Sequence, residues 1–424
     1  MPPWFMHIAV IIVVFLLTYV GMAAGRLPWL SVDRTGIALL GFVALLASQQ
    51  VTLDELGSSI DAPTLVLLFA LMIISAQFVA SGFFEICCDW LMAQSDEPAV
   101  LLGLTVVVCG ALSAFLVNDL VAFTMAPLLI IGAQARNLDP RPFLIALIGA
   151  SNAGSAATFI GNPQNILIGQ MGGLSFHGFL VACLVPALVG LGCVYGVVWL
   201  MWRDRIGTTA LAASQAAADL PRHPHDRNQT IKGLIALGAM LILFATPLPR
   251  EIGGMLIAAV LLSNRKFTSR TMIAAVDWPL VLLFLCLFAI TGTLADTGIP
   301  FSALSGLQSV GLGPDSLIVM TPLTLVMSNV IGTVPWVMFL MQIWPSPPAG
   351  ALYGLALITS LAGNLLLLGS VANIIVVERA KTLGIRLSNA EYARAAVPFT
   401  LLSLAFAVLW LKWTGAMTWL PVGD

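Results

Sequence analysis

Apolar residues run along most of the chain in long stretches, and polar residues collect in the short segments that separate them. A helix needs about 20 predominantly apolar residues to cross the ~30 Å hydrocarbon core of a bilayer. The stretches predict membrane crossings at residues 5–23, 36–49, 63–82, 142–171, 176–202, 231–247, 252–264, 279–295, 350–377 and 395–413. Two further stretches, 98–134 and 314–343, have polar centres and predict re-entrant hairpins. The pattern therefore predicts an all-α polytopic membrane protein.

Composition restricts the class of protein further. Of the 424 residues, 59% are hydrophobic and only 9% are charged, whereas soluble domains carry about 25% charged residues. This excludes a soluble enzyme and predicts a protein embedded in the lipid bilayer of the inner (plasma) membrane. The formal net charge is −2 and no basic tract occurs, so we expect no nucleic-acid partner. Walker, dinucleotide-binding, HExxH and GxSxG motifs are absent from the sequence, so we expect neither enzymatic activity nor a cofactor or metal.

The two halves of the chain carry the same landmarks in the same order. The matching pairs are IDAPTLVLLF (60–69) with VDWPLVLLF (276–284), LVNDLVAFTMAP (116–127) with VMSNVIGTVP (326–335), and GASNAGSAATFIGNPQNI (149–166) with ITSLAGNLLLLGSVANII (358–375). Three matched pairs in one order predict an internal duplication, which is a common plan among secondary transporters.

The positions of lysine and arginine predict the topology. With five crossings and one hairpin per half and the N-terminus outside, all of the 18 basic residues except Arg250 and Lys412 lie on the cytoplasmic side. Cytoplasmic loops of membrane proteins carry such an excess of basic residues. Five is an odd number, so we predict inverted repeats at 1–202 and 231–424, joined by a cytoplasmic linker at 203–230. Both chain termini are then outside.

The stretch SNAGSAATFIGNPQN, residues 151–165, is unlike a lipid-facing helix, because glycine permits non-helical turns and proline suits the first turn of a new helix. Non-helical backbone at membrane depth is tolerated where protein buries it or where it lines a wet cavity. We therefore predict two broken helices, at 142–171 and 350–377, that form a paired substrate site near the midplane. The predicted site residues are Ser151, Asn152, Gly154, Ser155, Thr158, Gly161, Asn162, Pro163 and Asn165, with Ser360, Gly363, Asn364, Gly369, Ser370 and Asn373. The alternative is that these small residues only permit close helix crossings.

The hairpin centres supply the predicted ion-coupling residues, which are Asn118, Asp119, Thr124, Ser328, Asn329 and Thr333. Asp119 is the only acidic residue far from the ends of an apolar segment, where a charge costs at least ~2.5–3.5 kcal/mol. Burial favours the protonated form of a carboxyl group, which suits proton coupling. The alternative is a structural acid that forms a salt bridge or caps the hairpin tip. Asp61 and Asp277, each two residues before a proline, are predicted helix N-caps.

The motifs SNAGSAATFIGNPQNILIG, LVNDLVAFTMAP and SLAGNLLLLGSVANIIVVE resemble those of the ion transporter superfamily. That group includes divalent-anion:sodium symporters, arsenite efflux permeases, citrate–metal transporters and NhaD-type sodium/proton antiporters. The resemblance covers almost the whole chain. It implies inverted repeats, a scaffold part, a transport part that moves like an elevator, and for many members a homodimer.

The resemblance also implies where coupling ions bind. In the sodium-coupled branch the ions lie where each hairpin tip meets its broken helix, and the matching residues here are Asn118, Ser151, Asn152 and Gly154, and Asn329, Ser360 and Gly363. The tips read VND (117–119) and MSN (327–329) in place of that branch's Ser-Asn-Thr, and ND is closer to the arsenite permeases. Coupling to protons and coupling to sodium therefore both stay open.

These features predict a secondary active transporter of a small anion or oxyanion, of the arsenite-permease or divalent-anion type, driven by a proton or sodium gradient. No lysine or arginine lies at predicted midplane depth, which favours a small anion or a neutral oxyacid over a bulky tricarboxylate. A sodium/proton antiporter is the second hypothesis. A passive channel is a third, and it would show no gradient-driven accumulation.

Overall fold

The computed structural model describes residues 3–24, 32–52, 55, 59–204, 206 and 223–419. The helices in these segments are, in chain order, α1 Pro3–Ala24, α2 Arg34–Ala47, α3 Ala62–Ala80, α4 Phe83–Ala93, α5 Pro98–Phe115, α6 Asn118–Ala135, α7 Pro140–Ser155, α8 Pro163–Met171, α9 Phe176–Trp202, α10 Arg227–Phe244, α11 Arg250–Leu262, α12 Ser269–Ala274, α13 Trp278–Asp296, α14 Ile299–Ser309, α15 Leu317–Val330, α16 Thr333–Ile343, α17 Ala349–Ala362, α18 Val371–Thr382 and α19 Asn389–Trp413. The described segments contain no β-sheet, only an isolated bridge between Ser316 and Thr418. Seven helices are long and apolar enough to cross a membrane. The prediction of an all-α polytopic membrane protein is confirmed.

The helices lie within a few residues of the predicted crossings and hairpins. One difference is at α10, which begins at Arg227 and thus inside the predicted linker of 203–230. The reason is a strong N-cap, since the Asp226 carboxylate accepts hydrogen bonds from the backbone N–H groups of Asn228 and Gln229. Residues 207–222 of the predicted linker lie outside the described residues.

Apart from α12, the described helices of the two halves follow each other in the same order, including a pair of short helices that the apolar stretches did not predict. After α3 the chain turns at Gly82 (φ 69°) into α4, and after α13 it turns at Gly298 (φ 70°) into α14. Positive φ values of this kind favour glycine. The opposite orientation of the two halves in the membrane stays a prediction of the charge pattern.

Aspartate caps start the helices that precede these turns. The Asp61 carboxylate accepts from the Thr64 backbone N–H at 3.3 Å, and the Asp277 carboxylate accepts from the Leu280 backbone N–H at 3.0 Å. The prediction that both residues are N-caps is confirmed.

Both predicted broken helices are interrupted. In the first, α7 ends at Ser155 and α8 begins at Pro163, and we call residues 156–162 the first break. In the second, α17 ends at Ala362 and α18 begins at Val371, and we call residues 363–370 the second break. Every residue of the first break is buried.

Close helix packing holds α7 in place. A Cβ atom added to Gly154 would lie 2.2 Å from the carbonyl oxygen of Gly110 in α5, so the two backbones touch directly. Gly192 in α9, by contrast, has no atom within 4 Å of such a Cβ position.

We therefore expect Gly154→Ala to lower the stability of the protein by roughly 1–3 kcal/mol, since overpacking forces helices apart. The measurement is the unfolding temperature of the purified protein in detergent, together with its size-exclusion profile. Gly192→Ala is the matched control and should unfold like the wild type. Equal unfolding temperatures for the two variants would contradict the close crossing of α5 and α7.

Candidate functional site

The two breaks are joined by hydrogen bonds between neutral side chains, and Asn152 lies at the centre of this junction. Its Nδ2 donates to Oδ1 of Asn364 and to Oδ1 of Asn373, each at 2.8 Å. Its Oδ1 accepts from the Ser370 hydroxyl at 3.2 Å and from Asn118 Nδ2 at 3.5 Å. Both donors of the Asn152 amide and its acceptor oxygen therefore have protein partners.

Ser360 holds the matching position in the second half. It accepts from Asn162 Nδ2 at 2.9 Å and donates to Asn165 Oδ1 at 3.3 Å. These two residues correspond to Ser370 and Asn373, which are two of the three second-half partners of Asn152. Exchanging the two halves therefore converts these bonds into each other, whereas the bond from Asn152 to Asn364 has no counterpart, because Ala156 holds the matching position.

The same junction pairs backbone groups that the breaks release. Asn165 and Asn373 each donate from Nδ2 to two carbonyl oxygens in or directly before their own break. Those oxygens belong to Ser155 and Thr158 (3.3 Å each) in the first half, and to Gly363 (2.8 Å) and Leu366 (3.0 Å) in the second. Asn162 also caps α8, because its Oδ1 accepts from the Asn165 backbone N–H at 2.8 Å. The breaks are thus built structures whose polar groups are paired.

Each hairpin tip packs on its own break. The backbone N–H of Asn118 donates to the Gly161 carbonyl at 3.0 Å, and Asn329 Nδ2 donates to the Ala362 carbonyl at 2.9 Å. A Cβ atom at Gly369 would lie 2.5 Å from Asn329 Oδ1, and one at Gly161 would lie 2.6 Å from the nearest carbonyl oxygen. Glycine is therefore required at both contacts.

Several polar atoms of the hairpins are buried and have no hydrogen-bond partner among the described residues. They include Asn118 Oδ1, Thr124 Oγ1, Ser328 Oγ and Asn329 Oδ1. Thr333 starts α16 and places its methyl group 3.5 Å from the Cβ position of Gly363. The structure thus brings Asn118, Asn329 and Thr333 to the breaks, and the side-chain oxygens of Asn118 and Asn329 have no partner among the described residues.

Asp119 faces away from this junction. Its side chain, 8% exposed, lines a cavity of about 300 Å³ together with Asp277, Phe123 and Ile375. The first turn of α18 places the backbone N–H of Ala372 beside the Asp119 carboxylate. Asp119 forms no salt bridge with any described residue. Its surroundings are therefore the cavity and the N-terminus of the helix that leaves the second break.

Sequence reasoning missed two residues at the junction. The Tyr392 hydroxyl donates to the Asn364 carbonyl at 2.7 Å. The Arg34 guanidinium donates to the Leu368 carbonyl in the second break at 3.2 Å, although Arg34 precedes the predicted crossing 36–49. The signal that could have revealed Arg34 is Arg250, which starts the corresponding helix of the other half.

A polytopic all-α protein with two facing helix breaks and two hairpins belongs to the class of membrane transporters. The family model for the citrate transporters, CitMHS, matches residues 12–346, and the chain belongs to that family. This confirms the resemblance to the ion transporter superfamily.

Individual membrane proteins resemble the chain over most of its length. The chain is 28% identical to the 46 kDa membrane protein of Mycobacterium leprae over 95% of this chain and 98% of that protein. It is 26% identical to the silicon efflux transporter LSI3 of Oryza sativa subsp. japonica, over 84% and 86% of the two chains. The crystal structure of the Alcanivorax borkumensis YdaH transporter has the same fold, with a TM-score of 0.57, 14% identity and coverage of 97% and 98%.

The junction predicts that Asn152→Ala destabilises the protein, because it strands the oxygens of two asparagines and the Ser370 hydroxyl. Each buried group left unpaired costs roughly 1–3 kcal/mol. Thermal unfolding in detergent measures the effect. Asn228→Ala, at an exposed position in the first turn of α10, is the control. Should both variants unfold at the wild-type temperature, Asn152 does not hold the breaks together.

Proposed function

We propose that the protein is a secondary active transporter of a small anion or oxyanion, driven by a proton or sodium gradient and working by elevator-like alternating access. The observation that carries the proposal is the set of hydrogen bonds that tie each helix break to the helix entering the other break, Asn162 to Ser360 and Asn152 to Asn364 and Ser370. Transporters with repeated halves bind substrate at such breaks, where helix N-termini attract anions. The family's description as citrate transporters and the name of the rice silicon efflux transporter support a small oxygen-rich solute.

The bonds at the junction suggest how binding and movement are linked. Two donors beside the N-terminus of α8 bond across the two halves, since Asn162 donates to the Ser360 hydroxyl and that hydroxyl donates to Asn165 Oδ1. A substrate oxygen that takes over one of these donors replaces a bond between the halves. In this proposal, substrate binding therefore breaks a hydrogen bond between the two halves and so changes how the breaks contact each other.

Asp119 provides a route for proton coupling. When ionised, its carboxylate offsets the positive end of α18, because it lies beside the backbone N–H of Ala372 in the first turn of that helix. Protonation removes that negative charge and leaves the end of α18 free to attract an anion. The proton and the anion thus favour each other's binding, which is the requirement for symport.

A sodium/proton antiporter is the second candidate. The observation that favours it is the set of unpaired oxygen atoms at the two hairpin tips, on Asn118, Ser328 and Asn329. Neutral oxygen ligands of this kind suit a hard cation such as sodium.

The direct test of the function is uptake and efflux by purified protein in liposomes with imposed proton or sodium gradients. The solutes are arsenite, silicic acid, sulfate, phosphate, succinate and citrate. We expect one of them to accumulate against its own gradient. Sodium exchange for protons with no solute movement would select the antiporter, and solute flux that only equilibrates would select a channel.

Asp119→Asn should abolish proton-driven accumulation while the variant still folds, since asparagine keeps the size and polarity of the side chain. Solute exchange at equal pH should persist, because it needs no net proton movement. The liposome assay with and without a pH gradient measures both activities. The control is Asp61→Asn, which retains an N-cap residue and lies outside the cavity. Unchanged proton-driven uptake by Asp119→Asn would remove Asp119 from the coupling mechanism.

A further inference from the structure

Two arginines hold matching positions in the two halves, and each reaches the break of the other half. Arg34 is the first residue of α2 and Arg250 is the first residue of α11. Arg34 donates to the Leu368 carbonyl in the second break, and Arg250 lies over the ring of Phe159 in the first break, 5.2 Å from its centroid. The duplication therefore provides one guanidinium group per break.

The two guanidinium groups differ in how much of their bonding capacity the protein uses. Arg250 donates from Nη2 to the Leu174 carbonyl at 2.8 Å and from Nη1 to the Gly169 carbonyl at 3.5 Å, in addition to its contact with Phe159. Arg34 makes one hydrogen bond within the described residues, at 3.2 Å, and no described carboxylate pairs with it. A guanidinium has five N–H donors, and the described residues take up only one of those of Arg34.

The break beside Arg34 is also more exposed than the break beside Arg250. The first break is fully buried, whereas Leu366 and Leu368 in the second break are 45% and 57% exposed. Arg34 Nη1 lies 3.3 Å from the Cβ position of Gly332, a residue with no side chain to fill that space. Ser370 makes no capping bond to α18, so the positive end of this helix also faces the second break.

We propose that Arg34 binds the negatively charged group of the substrate at the second break, and that the transporter therefore selects ionised solutes over neutral ones. The proposal rests on the proposed transport function. A guanidinium group presents paired N–H donors that match two oxygens of a carboxylate or of an oxyanion. Arg34 thus supplies the positively charged group that sequence reasoning did not find near the site. A positive charge there favours a small anion over a neutral oxyacid as the substrate.

The test compares Arg34→Gln and Arg34→Lys with the matched control Arg250→Gln. Anion affinity is measured by thermal stabilisation of purified protein in detergent with citrate, succinate, sulfate or phosphate, and with arsenite, present as neutral arsenous acid, as the uncharged probe. The KM of liposome uptake is measured for any probe that is transported. We expect Arg34→Gln to weaken affinity for the bound anion by about 10- to 100-fold. Arg34→Lys should be intermediate, and Arg250→Gln should bind like the wild type.

Three results would overturn the proposal. The first is that Arg34→Gln binds the anion with wild-type affinity. The second is that Arg34→Gln lowers turnover at unchanged KM, which would mean that Arg34 only stabilises the second break. The third is that no anion of the panel stabilises the wild-type protein. Anion-dependent stabilisation that Arg34→Gln loses, without transport of any probe, would reject the transport function and keep the role of Arg34.

A measurement on the wild-type protein covers the case in which the variants do not fold. Phenylglyoxal modifies arginine side chains, and mass spectrometry reports the extent at each arginine. The bound anion should slow modification of Arg34 and leave that of Arg250 unchanged. Equal modification of Arg34 with and without the anion would overturn the proposal.

Discussion

A helix that breaks inside a membrane leaves backbone N–H and C=O groups where the lipid cannot hydrogen-bond to them, and this protein breaks two helices. The requirement is met from within the chain. Asn165 and Asn373 pair the carbonyl groups of their own breaks, and Asn152 joins the breaks to each other. The positions of both hairpin tips and of α18 depend on this junction, because each packs against a break or continues from one.

The junction is built from amides and hydroxyls, and this neutrality suits a protein whose halves change contacts. Separating a buried ion pair leaves uncompensated charges and costs about 3–5 kcal/mol. A neutral hydrogen bond contributes about 0.5–1.5 kcal/mol net, so amide partners can be exchanged singly at small cost. Charged groups lie at the margin instead, with Asp119 in a cavity beside the start of α18 and Arg34 at the exposed side of the second break.

The sequence predicts those features that the membrane itself imposes. Apolar stretches must be long enough to cross lipid, and glycine, proline and asparagine interrupt them, so the helices and both breaks were predictable within a few residues. The short helices α4 and α14 were missed because 11 residues are too few to span a bilayer. The contact of Asn152 with Asn373 was not predictable, since it depends on how two distant helices meet. Arg34 was missed because it starts a helix that is too short to span the bilayer, so the sequence does not show how deep in the membrane Arg34 lies.

An exact duplication would have produced two identical breaks. The residues that differ between the two breaks therefore indicate where the two halves have different roles. Asn152 corresponds to Ser360, and the longer amide of Asn152 reaches more partners than the hydroxyl does. Arg250 bonds two carbonyl groups beside a buried break, while Arg34 bonds one described carbonyl group beside a partly exposed break. A symmetric scaffold with one closed and one open break is the arrangement that alternating access requires at any moment. In the proposed transport mechanism, the partly exposed second break beside Arg34 is where the solute first meets the protein, and the buried first break is the contact that must loosen for the solute to leave on the other side.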